Sequence, residues 1–442
     1  MNVHSIGGVV RNESIGAVVA LGLLMACTGA HTPTVTPATA GFGKTTLADG
    51  ARRIAAHRVA AVDTRRIRHA AWWQAVAPSL ASPRLTVVPI GQSLQGRELR
   101  AITFGTGSTR VLLWSQMHGD ESTATMALAD LLAWLADPAA DPLREHLGHQ
   151  LTITIVPMLN PDGAELFQRE NAAGIDINRD AKRLSTPEAR ALKALRDSLQ
   201  PEFGFNLHDQ GARTRAGASG PQAAIALLAP AIDASGRYDA VRNRARRVAS
   251  VIAQALADSI PGRVAKYDEG FNPRAFGDLM QAWGTSTVLI ESGALPGDPD
   301  KQRLRALNGA ALLVALDQIA TSKAAHASAA AYDALPPNTG GAIDLLLRGG
   351  MLVLPGRAPF RADLAMNFDD PLLRTSTRLR EVGDLSAAVA IDTVDASGLF
   401  VHPTTESLRV GPEGIWLLIN APVHFILRRT ADPASTLVRS VP

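Results

Sequence analysis

The sequence predicts an α/β layer fold with a mixed sheet, followed by a smaller C-terminal β-rich domain. Two patterns carry this prediction. Between residues 85 and 319, short apolar or alternating runs interleave with longer helix-periodic segments, as when helices cover a sheet. Beyond an Ala/Pro/Gly/Asn-rich stretch at 321–341, short strand-like runs alternate with Gly and Pro turns. The 442 residues are enough for one large domain and one small one.

Taken in order, residues 45–76 read as a helix, with Ile54, Val59, Val62 and Ile67 at mixed helical spacing. Strands are expected at 85–88, 99–104, 111–115 and 151–156, the last alternating apolar residues with Thr. An apolar helix is expected at 122–135. Another runs from the capping box Ser185-Thr186-Pro187-Glu188 to about Leu199. Strands at 203–207 and 287–290 alternate with helices at 238–260 and 303–319. Residues 321–341 read as a linker. After it, short strands are expected at 343–347, 351–354, 388–394, 398–401, 415–419 and 425–427. His402 and His424 read as ordinary strand residues.

The N-terminus reads as an address. Arg11 is followed by an apolar run at 15–25, too short to span a bilayer, and then by Leu24-Met25-Ala26-Cys27. This resembles the bacterial lipoprotein signal, in which the cysteine is lipidated; Cys27 is the single cysteine of the chain. The alternative is an ordinary cleaved signal with an incidental cysteine. The expected division is a signal peptide at 1–26, a flexible tether at 27–44, a catalytic domain at 45–320, a linker at 321–341 and a β-rich domain at 342–442. The expected location is the cell envelope after export, touching the membrane only through a lipid on Cys27.

Composition narrows the chemistry. With 44 basic and 41 acidic residues the charge is balanced, which argues against a nucleic-acid partner. One cysteine excludes an internal disulfide framework and any multi-cysteine metal site, so a metal must be held by His, Asp or Glu.

The organising stretch is Trp114-Ser115-Gln116-Met117-His118-Gly119-Asp120-Glu121-Ser122, between a strand and a helix. Its His-x-x-Glu spacing puts an imidazole and a carboxylate on one turn, suited to zinc. Leu207-His208-Asp209 ends a strand with a second imidazole. Two His and one Glu leave a coordination position open, as a hydrolytic zinc requires. Asn160-Pro161-Asp162-Gly163 is a turn; Arg169 and Arg179 follow it, and either can fork onto a carboxylate or an oxyanion. Glu291 ends the apolar run 285–290, where a carboxylate is costly without a role.

These segments resemble the zinc carboxypeptidase superfamily, of carboxypeptidase A/B type. Its order is Gly-x-Ser-x-x-Gly-Arg, His-x-x-Glu, Asn-Pro-Asp-Gly, Arg-x-Asn, Asp-x-Asn-Arg, a strand-borne His and a strand-ending Glu. All occur here in that order from Gly91 to Glu291. The resemblance covers roughly residues 45–320. It implies a zinc carboxypeptidase-like α/β/α domain with one zinc on His118, Glu121 and His208. It implies Arg169 at the scissile carbonyl, Asn178 and Arg179 on the substrate's terminal carboxylate, and Glu291 as general base and acid. The implied substrate is a peptide with a free C-terminal carboxylate. Two positions depart from the pattern. Asp120 stands where some members carry Arg, and Tyr267 reaches the place of a mobile-loop tyrosine only with a slight length change. Two alternatives stay open: a related zinc amidohydrolase acting on cell-wall peptides or acylated amino acids, and a non-catalytic binding protein on the same fold. Asp209 and Arg274 are polar neighbours of the inferred site without an assigned role.

Overall fold

The segment Thr109–Ser115 is apolar on both of its alternating faces, and it lies at the centre of an eight-stranded sheet. Val111 and Leu113 face one helical layer, which includes Leu128, Leu312 and Trp72. Leu112 and Trp114 face the other, with Leu192, Phe276 and Met280. Burial on both faces explains why this strand reads as a continuous apolar run. The computed structural model describes residues 45–441. The expected signal peptide, the tether and Cys27 lie outside the described residues.

Across the sheet the strands run Leu85–Gln92, Glu98–Phe104, Leu151–Val156, Thr109–Ser115, Phe203–Asp209, Ser286–Ser292, Ile225–Leu228 and Val264–Lys266. The four in the middle, from Leu151–Val156 to Ser286–Ser292, are mutually parallel, and antiparallel pairings occur toward both edges. The sheet is therefore mixed. From Thr109–Ser115 the chain next builds a neighbour on one side, Leu151–Val156, and later one on the other, Phe203–Asp209. The order reverses there, and open α/β sheets bind ligands at the carboxyl ends of strands at such a point.

Residues 45–76 are not one helix. A capping box at Thr46 and Asp49 starts Leu47–Ala56, and a second helix, His69–Leu80, follows after a break. The break has a physical cause. The Val59 amide donates to Asp130 Oδ1 at 2.8 Å, and Arg305 donates to the carbonyls of Val59 and Val62. A buried Arg305–Asp130 pair thus satisfies backbone groups that a helix would otherwise pair, while Val62 and Ile67 go into the core.

The C-terminal region is a seven-stranded sheet around Leu345, Leu347, Leu364, Met366, Phe368 and Phe425. Three of its strands, Phe360–Asp370, Thr375–Gly383 and Leu437–Val441, were not expected from the sequence. The first nonetheless alternates Ala362, Leu364, Met366 and Phe368 into the core with strict period two. Asp363 and Asn367 stand between them, but the apolar Ala365 between Leu364 and Met366 blurs the alternation. The connection 321–341 is packed chain: Tyr332 is fully buried, its hydroxyl accepts from the Ala229 amide at 3.1 Å, and Asn338–Thr339 pairs with Arg215–Ala216. The described residues form one unit. Among them, no helix is long and apolar enough to cross a membrane.

Candidate metal centre and its cleft

The parallel strands bring three chemical segments to one edge. His208 and Glu291 are direct partners in the register of Phe203–Asp209 and Ser286–Ser292, and Ser115, three residues before His118, pairs with Leu207. The turn from Ser115 into the helix Thr123–Ala136 is tight. Gln116 takes a left-handed φ of 49°, its carbonyl accepts from the Asn160 amide, and its side-chain amide donates to the Gly119 carbonyl. Such strain in a non-glycine residue is characteristic of sites that the surrounding fold holds firmly.

The Asn-Pro-Asp-Gly turn supports this turn from beneath. A Cβ on Gly119 would lie 2.0 Å from the Gly163 carbonyl carbon, so two backbones touch where only glycine fits. Asn160 caps the helix Pro161–Leu166 through the Gly163 amide and donates its own amide to the Arg169 carbonyl. Asp162 accepts from Ser93 Oγ and Arg97 Nη1, both at 2.7 Å, and from the Gln95 amide at 3.0 Å. The Gly-x-Ser-x-x-Gly-Arg turn is thereby fastened to the same platform.

At the centre, His118 Nδ1 lies 2.7 Å from Glu121 Oε1, and His208 Nδ1 lies 2.7 Å from Glu121 Oε2. The two Nδ1 atoms are 3.2 Å apart. All three residues are buried, and one donor atom from each falls within 4.8 Å of the others. Two imidazole nitrogens and a carboxylate converging on one point form a donor set that fits a divalent metal, and nitrogen and oxygen donors suit zinc. On its far side, His118 Nε2 meets Asp176 Oδ1 at 3.0 Å. A carboxylate there fixes the ring and its tautomer, leaving Nδ1 free to ligate.

The electrostatics follow from burial and close charges. Burial opposes a charge on His118, but Glu121 and Asp176 outweigh it and lift the imidazole to about 9. Burial lowers His208. Burial raises Glu121, and the two imidazoles more than reverse that, holding it well below the usual carboxylate range. Burial, with the Glu121 charge beside it, pushes Glu291 well above that range. The Glu291 charge, followed by burial, lifts the Tyr267 phenol to about 12, so it keeps its proton and can serve as a hydrogen-bond donor at neutral pH.

Arg169, Asn178, Arg179, Tyr267 and Glu291 line one cavity of about 870 Å³ together with His118 and Glu121. Arg169 forks onto Asp176 Oδ2 through Nε and Nη2, at 3.1 and 2.9 Å, and turns Nη1 toward Glu121 Oε1 at 3.3 Å. Asn178 Oδ1 accepts from the Phe276 amide at 2.9 Å, and its Nδ2 approaches His208 Nε2 at 3.5 Å. Arg179 donates to the Asn178 carbonyl. Glu291 and Tyr267 share the cavity, though Tyr267 also packs on Ala216, Ala223, Ala226 and Ala265. Asp120 lies in the same lining. Arg274, whose carbonyl accepts from the Ala181 amide, is not part of that lining.

Two further neighbours support the centre, Asp209, which the sequence marked without a role, and Lys301, which it did not mark. Asp209 accepts from Thr123 Oγ1 at 2.6 Å and Lys301 Nζ at 3.0 Å, while its own amide donates to Glu121 Oε2 at 3.1 Å. Lys301 sits in a left-handed conformation at the start of the helix Gln302–Ala320. Asp209 was legible as a polar neighbour of His208, whereas the long sequence separation hid Lys301.

The family model described as zinc carboxypeptidase matches residues 69–216. A carboxypeptidase 2 from Trichophyton tonsurans is 31% identical over 128 residues, covering 29% of this chain and 23% of that protein. Carboxypeptidase M from Mus musculus is 31% identical over 142 residues, covering 28% of this chain and 32% of that protein. The chain thus spans less than a third of the length of either relative. A crystal structure of a metallo-carboxypeptidase from Burkholderia cenocepacia aligns with 58% of this chain and 68% of its own, at 20% identity and a TM-score of 0.45. The residues that the zinc carboxypeptidase model matches include His118, Glu121 and His208, the donor set that fits a metal.

Proposed function

We propose that the protein is a zinc-dependent metallocarboxypeptidase that hydrolyses the C-terminal peptide bond of peptides. The observation that carries this reading is the convergence of His118, Glu121 and His208 on one point, with His118 and Glu121 lining the cavity that also presents Glu291 and Arg179. His118, Glu121 and His208 would hold one zinc per chain, which supplies a Lewis acid and a water acidified toward neutrality. Arg179 and Asn178 bind the substrate's terminal carboxylate through charge-assisted hydrogen bonds, which restricts cleavage to the last bond. Arg169, preorganised by Asp176, donates to the oxyanion that develops on the scissile carbonyl. Glu291 takes a proton from the attacking water and returns it to the leaving amine. Tyr267 donates its phenolic hydrogen into the same cleft.

The deciding experiment compares a free-acid peptide with its C-terminal amide, using zinc-loaded protein. Hydrolysis of the acid with poor turnover of the amide is expected. Equal cleavage of the two would sink the exopeptidase reading and leave an amidohydrolase or endopeptidase in its place. Binding of both peptides without turnover would leave the non-catalytic reading.

We also infer export and lipid attachment at Cys27 from the N-terminal sequence. Cys27→Ser should shift the protein from the membrane fraction to the soluble one. Unchanged association would place the attachment elsewhere.

A further inference from the structure

The cavity that contains the metal centre is not enclosed by the catalytic segment alone. Asp369, Asp370, Pro371 and Leu372 also line it. These residues form the turn between Phe360–Asp370 and Thr375–Gly383, and so belong to the C-terminal sheet.

The turn is held from both sides. Asp370 Oδ1 accepts from the Leu372 and Leu373 amides at 2.9 and 3.0 Å, and the Asp370 carbonyl accepts from the Arg374 amide at 2.7 Å. Asp370 Oδ2 accepts from Arg65 Nη2 at 3.0 Å. The Arg65 carbonyl in turn accepts from Ser122 Oγ at 2.6 Å, directly beside Glu121. Arg65 also lies over the Phe167 ring, two residues before Arg169. The turn is therefore tied to the Glu121 and Arg169 side of the site. The opposite end, proposed to hold the substrate carboxylate, is tied through Asn178 to Phe276.

Resting on the peptidase reading above, we propose that residues 369–372 are a wall of the substrate cleft that limits the length of peptide the site accepts. Once the substrate's carboxylate is fixed near Arg179, the rest of the peptide must leave past the metal centre, where this turn stands. The cavity of about 870 Å³ has the size of sites that enclose small ligands, so it suits a short chain end. Both aspartates of the turn already pair with arginines, Asp369 with Arg378 and Asp370 with Arg65. The selection is consequently by shape, through Pro371 and Leu372, and not by charge.

The test measures kcat/KM for a blocked dipeptide and for a peptide of about ten residues, roughly 33 Å when extended, with the same last two residues. Zinc-loaded full-length protein is used, alongside the Pro371→Gly/Leu372→Gly double variant and Leu372→Ala. The wild type should prefer the short substrate by about tenfold or more, and the double variant should narrow that ratio to about threefold or less by gaining on the long one. Leu372→Ala should move the ratio in the same direction, and it decides the matter if the double variant has a lowered melting midpoint. A wild type indifferent to length, or a ratio unmoved in a well-folded variant, overturns the wall. If neither peptide is cleaved by the wild type, the peptidase reading fails and this inference fails with it.

Discussion

The two sheets of this molecule manage their edges and ends differently. In the eight-stranded sheet, four parallel strands are buried on both faces, and their shared carboxyl edge carries His208 and Glu291, with His118 on the turn that follows it. The C-terminal sheet is built largely of antiparallel pairings around one main core, and it contributes a turn to the cleft where the other contributes ligands. The first arrangement collects residues distant in sequence at one point, because parallel strands all end on the same side. The second lends shape. The join between them starts just after His208: Gln210 accepts from Asn338, Arg213 pairs with Asp344 and the Arg215 guanidinium donates to the Ala390 carbonyl. The segment that supplies the third ligand is thus also the segment that fastens the second sheet.

If chemistry belongs to the first sheet alone, its variants should lose function without loosening the second. His208→Ala should lose stoichiometric zinc on dialysis, since the remaining two donors lie on a single turn, and activity should go with it. Metal analysis with calorimetry checks this, and retained zinc would overturn the ligand assignment. Glu291→Gln keeps the shape but removes the base, so zinc content should hold while kcat falls about a hundredfold or more. Wild-type turnover in that variant would remove Glu291 from the chemistry.

The join itself should show the reverse. Arg213→Ala leaves Asp344 buried with only the Phe368 amide as partner. A broken buried pair costs several kcal/mol, but the Arg213 side chain is 35% exposed, so a loss of about 1–2 kcal/mol is expected. It should appear in calorimetry as an earlier transition of the C-terminal sheet. An unchanged trace would mean that other contacts carry the attachment.

The smallest expected effect sharpens the first region. Burial lifts Asp278, in the cleft lining, from 3.8 to about 6. Between these values the folded protein binds more protons here than the unfolded chain does, so this group's contribution to stability falls as pH rises from about 4 to about 6 and then levels off. Asp278→Asn should flatten that part of the stability–pH curve by about 1–2 kcal/mol, read from urea midpoints across the window. A curve of unchanged slope would show that Asp278 titrates as it does in the unfolded chain.

Several parts of this protein were written locally and could be read. The His-x-x-Glu turn, the Asn-Pro-Asp-Gly platform and the apolar strands around them depend on near neighbours, and their order along the chain carried the resemblance to zinc carboxypeptidases. The alternating core residues of Phe360–Asp370 were equally local, but the apolar Ala365 among them blurred the alternation. Other features depended on partners far away in the chain. The break after Ala56 needs Arg305 and Asp130, and the setting of Asp209 needs Lys301. The placement of residues 369–372 in the cleft needs Arg65 and the join beyond His208. Periodicity and turn chemistry report which backbone conformation a short segment prefers, so the sequence determined the strands, the turns and the donor residues. Which backbone groups a buried arginine satisfies, and which turn closes a cavity, depend on distances across the folded chain, and only the tertiary structure decided them.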